Sequence, residues 1–84
     1  MNPYIDEENI RTIFCDVVDS ELVWHRDIEE RVITVLKGEG WSLQYNGSIP
    51  VELVEGKHYR IPSHMYHRVI KGCTDLVIEI ENAN

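Results

Sequence analysis

The run RVITVL at residues 31–36 is the densest stretch of β-branched side chains in the chain, and Lys37-Gly38-Glu39-Gly40 stops it after six residues. The same interruption recurs along the whole sequence. Short runs rich in strand formers occupy residues 12–18, 21–27, 31–36, 41–45, 48–54, 57–61, 67–71 and 75–81. Between them stand turn formers: Asp19-Ser20, Ile28-Glu29-Glu30, Asn46-Gly47, Gly56, Pro62-Ser63-His64 and Gly72-Cys73-Thr74. No apolar spacing of three and four persists long enough for a helix, and one helical turn near Asp6–Ile10 is the only candidate. Short strands at intervals of about eight to twelve residues predict an all-β sandwich or barrel. Asn46-Gly47 predicts a two-residue type I′ hairpin, and Pro50 puts the returning strand at an edge or in an irregular position.

At 84 residues the chain holds one core and therefore one domain, residues 1–84, read as an N-terminal arm over 1–11 and a barrel over 12–81. A chain this short buries little of its unfolded surface, so help from a metal or a second subunit is expected. Fifteen acidic residues against eight basic ones give a net charge of −7. That field repels phosphate backbones and anionic lipids, which argues against nucleic-acid and membrane-surface partners. No apolar run approaches the ~20 residues of a membrane span, and the N-terminus lacks the features of a secretory signal, so a cytoplasmic location is expected. Cys15 and Cys73 are too far apart for a paired-cysteine metal site and read as reduced, buried small hydrophobes.

Alternate side chains of a strand share a face. Val23, His25 and Asp27 therefore lie together, as do Arg31, Ile33 and Val35. If the apolar members face the core, His25 and Asp27 face it too, and buried polar groups are costly unless paired or coordinated. Imidazole nitrogens and a carboxylate from neighbouring strands are what a divalent transition metal requires.

Residues 56–67 carry a more specific pattern. Gly56, five residues, Pro62, Ser63, His64, two residues and His67 follow the second motif of the cupin superfamily, G-x5-P-x-G-x2-H, with His64 in place of its second glycine. The places of the first cupin motif, His-x-His, three or four residues, Glu, six residues, Gly, are occupied by His25, Arg26, Asp27, Arg31 and Gly38, with Asp27 for the second His and Arg31 for Glu. From about Ser20 to Ile80 the sequence resembles a small single-domain cupin. That resemblance implies an antiparallel double-stranded β-helix, the jelly-roll barrel of the superfamily. It places His25, Asp27 and His67 at three of the four metal-ligand positions, with iron, manganese, nickel or zinc as the candidate ions. At the fourth position Arg31 replaces Glu and cannot ligate.

Two accounts of that replacement are open. Arg31 and Asp27 form a buried ion pair that stands in for the metal, leaving a non-catalytic binding or accessory module. Alternatively a three-ligand site survives, and Arg31 clamps a carboxylate or phosphate of a small anionic molecule. The corresponding activities would be those of an oxygenase, isomerase or epimerase. Arg31 and Tyr59 are the candidate ligand-binding residues. His58 is expected to face solvent and His64 to lie on the surface turn near the barrel mouth, while Trp24, Trp41 and Tyr66 read as packing residues. A homodimer is expected to supplement the small core.

Overall fold

The protein is described by a computed structural model covering residues 4–17 and 22–82. Eight strands follow in order: β1 (Tyr4–Glu7), β2 (Ile10–Ile13), β3 (Arg31–Lys37), β4 (Ser42–Tyr45), β5 (Val51–Glu52), β6 (His58–Ile61), β7 (His67–Ile70) and β8 (Leu76–Asn82). They form a five-stranded sheet, β1-β2-β8-β3-β6, and a three-stranded sheet, β5-β4-β7. Every pairing is antiparallel. Among the described residues there is no helix, hence none long and apolar enough to cross a membrane.

The two sheets enclose one core because their strands alternate. In β3, Ile33 and Val35 are buried; in β8, Leu76 and Ile78; in β6, Ile61; in β4, Leu43. Trp41 and Leu53 fill the end of the same cluster. The Trp41 ring is fully buried, and its Nε1 donates to the Thr74 carbonyl at 2.6 Å, which satisfies the single polar atom it takes inside. Close passage of Gly72 over Trp41 makes that packing feasible, since a Cβ at residue 72 would stand 2.6 Å from the Trp41 backbone nitrogen. The pairing of β3 with β8 shifts register between Val35 and Lys37, and beyond the shift Leu36 and Lys37 are both exposed.

Several expectations are corrected. Residues 6–10 form no helical turn; they are the tip of the β1–β2 hairpin, with Glu8 at φ 58°. The segment expected as an arm thus extends the larger sheet, pairing through β2 with β8. The strand expected over 12–18 stops at Ile13, after which the Val17 amide bonds back to the Phe14 carbonyl. The strand expected over 21–27 is a single bridge, His25 to His67. Continuing the ladder would set Asp27 opposite Met65, but the Asp27 carbonyl accepts from the His64 amide and the Met65 amide bonds to the Pro62 carbonyl. The turn expected at Asp19-Ser20, with Val18 and Glu21 beside it, lies outside the described residues.

At Asn46-Gly47 only Gly47 has positive φ, 79°, and the Ser48 amide bonds to the Tyr45 carbonyl. Positive φ at the third residue alone is the type II pattern, whereas type I′ needs it at two positions. The return strand accordingly shrinks to Val51–Glu52 behind Pro50. Cys15 and Cys73 are free thiols as expected, but both are exposed. Each sits at a turn following a strand end, outside the alternating inward positions.

Candidate metal centre

The segment carrying His25 and Asp27 is held against the edge of β7 from both sides. On the backbone, His25 and His67 exchange amide-to-carbonyl bonds of 2.9 and 3.0 Å. On the outer face, Trp24 stacks on Tyr66 with centroids 5.4 Å apart and planes 12° from parallel. The Arg26 guanidinium lies 5.2 Å over the Tyr66 ring, and that of Arg68 lies 4.9 Å over Trp24. These four side chains form a cation–aromatic–aromatic–cation ladder, a geometry in which each neighbouring pair attracts. Alternation then turns His25 and His67 to the opposite face, where their rings lie 4.3 Å apart; of the residues expected to face the core there, Val23 and His25 remain exposed and border the cavity from its open side.

The Pro62-Ser63-His64 turn fixes the far end of the segment. Ser63 Oγ donates to the Ile28 carbonyl at 2.6 Å, and the His64 amide donates to the Asp27 carbonyl at 2.8 Å. His64 adopts φ 62°. This is the position at which the second motif has glycine, and the left-handed conformation explains that preference. The imidazole stays exposed, its Nδ1 2.9 Å from Ser63 Oγ.

Three candidate ligands meet on the face opposite the ladder. His25, Asp27 and His67 offer ligating atoms that all lie within 4.8 Å of one another. Asp27 Oδ2 stands 3.4 Å from His67 Nε2 and 3.9 Å from His25 Nε2. The tautomers follow from the backbone. His25 Nδ1 lies 3.0 Å from the Val23 carbonyl, and His67 Nδ1 lies 2.7 Å from the Met65 carbonyl. A carbonyl oxygen only accepts, so each Nδ1 carries a proton, and in the neutral imidazole each Nε2 presents its lone pair on the side of Asp27. A backbone carbonyl holding the other ring nitrogen is the usual support of a metal-binding histidine. His67 is 2 % exposed, and burial is the main cause that lowers its pKa below the ordinary histidine value.

Arg31 also faces inward. Its Nη1 is 3.7 Å from Asp27 Oδ1, too far for a hydrogen bond, and its Nε is buried with no partner. A cavity of about 320 Å³ opens over the three candidate ligands and Arg31, walled on the other sides by aliphatic side chains such as Ile33, Ile61 and Ile78. Arg11, from β2, reaches the same cavity and is held by Asp6 through contacts of 2.7 and 3.0 Å.

Tyr59 is not brought to this cavity. Its ring packs on the core, and its hydroxyl is used elsewhere, accepting from the Val54 amide at 2.8 Å and donating to the Glu52 carbonyl at 2.9 Å. His58 faces outward as expected, 2.7 Å from Thr34 Oγ1. Glu30, the neighbour of Arg31, also points outward and pairs with Arg60 at 2.5 Å, so it offers no fourth ligand. Two contributors escape a reading of the sequence. Arg11 belongs to the segment read as an arm, and the outer ladder is visible there only as alternation of aromatic and basic residues at 24, 26, 66 and 68.

No family model and no curated protein matches the sequence. Two solved structures do resemble it. One is a protein from Neisseria meningitidis, 15 % identical, with a TM-score of 0.60 over 95 % of this chain and 80 % of that one. The other is a cupin domain from Bordetella pertussis Tohama I, 23 % identical, with a TM-score of 0.57 over 95 % of this chain and 88 % of that one. The fold is therefore of the cupin type, two antiparallel sheets in jelly-roll arrangement around one core. At these identities the likeness is one of fold.

Proposed function

We propose that this small cupin-like protein binds one divalent transition metal through His25, Asp27 and His67, together with a small anionic molecule in the adjoining cavity. The observation that carries the reading is the matched pair of tautomers: both imidazoles are tied at Nδ1 to a carbonyl and turn Nε2 toward one carboxylate oxygen. Two imidazoles and a carboxylate suit iron, manganese, nickel or zinc; donors ~2.0–2.1 Å from one ion lie about 3–4 Å from each other, so a group spread over as much as 4.8 Å would draw in slightly on binding. When bound, such an ion would polarise an oxygen of the ligand as a Lewis acid. Arg31 would add positive charge beside it and orient an anionic group, while the aliphatic wall excludes water. Oxygenase, isomerase or epimerase chemistry fits this arrangement, and the second subunit of a homodimer would cover the apolar side chains of Ile49, Val51 and Val54.

The competing reading is a metal-free binding module in which Arg31 and Asp27 pair with each other. It needs Asp27 committed to the guanidinium, and a separation of 3.7 Å with Oδ2 turned to the imidazoles favours the metal instead. Elemental analysis of untagged protein purified without chelators, followed by reloading and calorimetry, tests the choice. One equivalent of metal per chain, lost in His67→Ala, is expected. Wild-type protein that takes up none of the four ions ends the metal reading and leaves the binding module.

A further inference from the structure

The cavity has two unlike kinds of lining, and their contrast, given an anionic ligand as proposed above, narrows the chemical class of that ligand. The polar part is the three candidate metal ligands and Arg31; beside Arg31, whose cross-strand partner is Ile61, runs an aliphatic wall of Ile13, Ile33, Leu43, Ile61, Ile78 and Ile80. The one charged side chain on that side is Arg11, paired across the sheet with Ile78 and held by Asp6. A guanidinium has two forks of donors, and the one containing Nε is distinct from Nη1. Asp27 stands loosely off Nη1, and Nε has no acceptor at all. An ionised donor sealed from water without an acceptor is a cost that structures rarely leave unrelieved. Arg11, the other guanidinium at the cavity, is already gripped by Asp6, so Arg31 is the group with unmet demand.

We infer that the anion is the carboxylate of an aliphatic monocarboxylic acid, its head seated on Arg31 and its tail laid along the isoleucine-rich wall. A small swing of the Arg31 side chain presents the Nε fork to both carboxylate oxygens, the bidentate geometry in which arginine binds most strongly. A phosphate or dicarboxylate satisfies the head equally well but leaves the wall without an apolar partner, or puts a second charge against it. The size is bounded too. A cavity of ~150 Å³ takes one benzene, so about 320 Å³ admits an acid of up to about a dozen heavy atoms.

The test is calorimetric titration of metal-stripped full-length protein with acetate, butyrate, hexanoate, adipate and hexanol, repeated on zinc-loaded protein and on Arg31→Met. Hexanoate is expected to bind best, tightening about four-fold for each methylene added from butyrate. Hexanol and adipate are expected to bind at least ten-fold more weakly. In Arg31→Met the advantage of hexanoate over hexanol should vanish. Acetate binding as tightly as hexanoate overturns the apolar tail. Hexanol binding as tightly as hexanoate, a preference that survives in Arg31→Met, or no binding by any probe overturns the seat on Arg31. If Arg31→Met does not fold, the wild-type series alone decides, through the comparison of hexanoate with hexanol. Metal uptake is measured separately by elemental analysis, so hexanoate binding without metal, or metal without hexanoate, shows which reading has failed.

Discussion

Replacing Asp27 with asparagine removes one negative charge and almost no volume, and it should move the two binding events of the cavity in opposite directions. Asp27 Oδ2 faces both imidazoles while Oδ1 stands 3.7 Å from Arg31 Nη1. At that separation, with the effective dielectric of ~20 suited to partly exposed pairs, Coulomb attraction is about 4.5 kcal/mol. The side chains are 15 % and 27 % exposed, and no hydrogen bond joins them, so the net value falls well below that figure. A net coupling of about 0.5–1 kcal/mol is expected. Released from Asp27, Arg31 should bind a carboxylate about two- to five-fold more tightly in Asp27→Asn. The same change takes a charged ligand from a three-donor site, so zinc or nickel affinity should fall at least about 100-fold. Calorimetry on metal-stripped protein with hexanoate, and separately with zinc, reads both. An unchanged zinc affinity would refute the placement of Asp27 as a ligand. Weaker hexanoate binding would show that Asp27 orients Arg31 and does not compete for it.

Trp24→Ala leaves all three candidate ligands in place but removes the middle of the outer ladder, a loss of about 1–2 kcal/mol from stacking and cation–aromatic contact. Metal affinity should drop several-fold with nothing touched at the ion, and a wild-type zinc isotherm would show that the ladder does not position His25. Burial holds the pKa of His67 below its unfolded value of about 6.5, so below that pH the unfolded state binds the extra proton more readily. Stability of the metal-free protein should therefore fall as the pH drops from about 7.5 to about 5.5, with the slope reduced in His67→Gln; urea midpoints at the two pH values read the sign. Gly72→Ala should destabilise by about 3 kcal/mol or more, because the new Cβ meets backbone of Glu39 and Trp41. Gly47→Ala, with open space but positive φ, should cost only about 1–2 kcal/mol, and equal urea midpoints for the two variants would contradict the distinction.

Much of the fold was legible because strand alternation and turn residues are local signals. Ile33, Val35 and Leu43 sit inward where period two puts them. The β1–β2 hairpin was not legible: YIDEENIRTI offers acids and no glycine at its tip, and Glu8 takes the left-handed conformation unaided. The spacing of residues 56–67 brought His67 to His25 and Asp27, since it encodes a turn of fixed length between β6 and β7. What no spacing could reveal was which ring nitrogen each histidine presents. That depends on the carbonyls of Val23 and Met65, each two residues back, and on the bend of the chain there. Tyr59 was misjudged for a related reason. It does alternate inward, opposite Ile33, but nothing in the sequence reveals that backbone groups of Glu52 and Val54 take its hydroxyl.

The place of β8 bears on how such a chain is made. It is the last strand in sequence, yet it lies in the middle of the larger sheet, flanked by β2 on one side and β3 on the other. Until residue 82 has been added, β2 has only β1 to pair with and β3 only β6. Through most of synthesis β2 and β3 present open edges, while β4, β5 and β7 can already pair among themselves. The smaller sheet, which carries the His25–His67 bridge, is thus complete before the larger one, whose β1–β2 and β3–β6 halves are joined by β8 in a late step. Translation at ~5–20 residues per second leaves the nascent chain in that half-built form for seconds, long enough for its unpaired edges to need shielding.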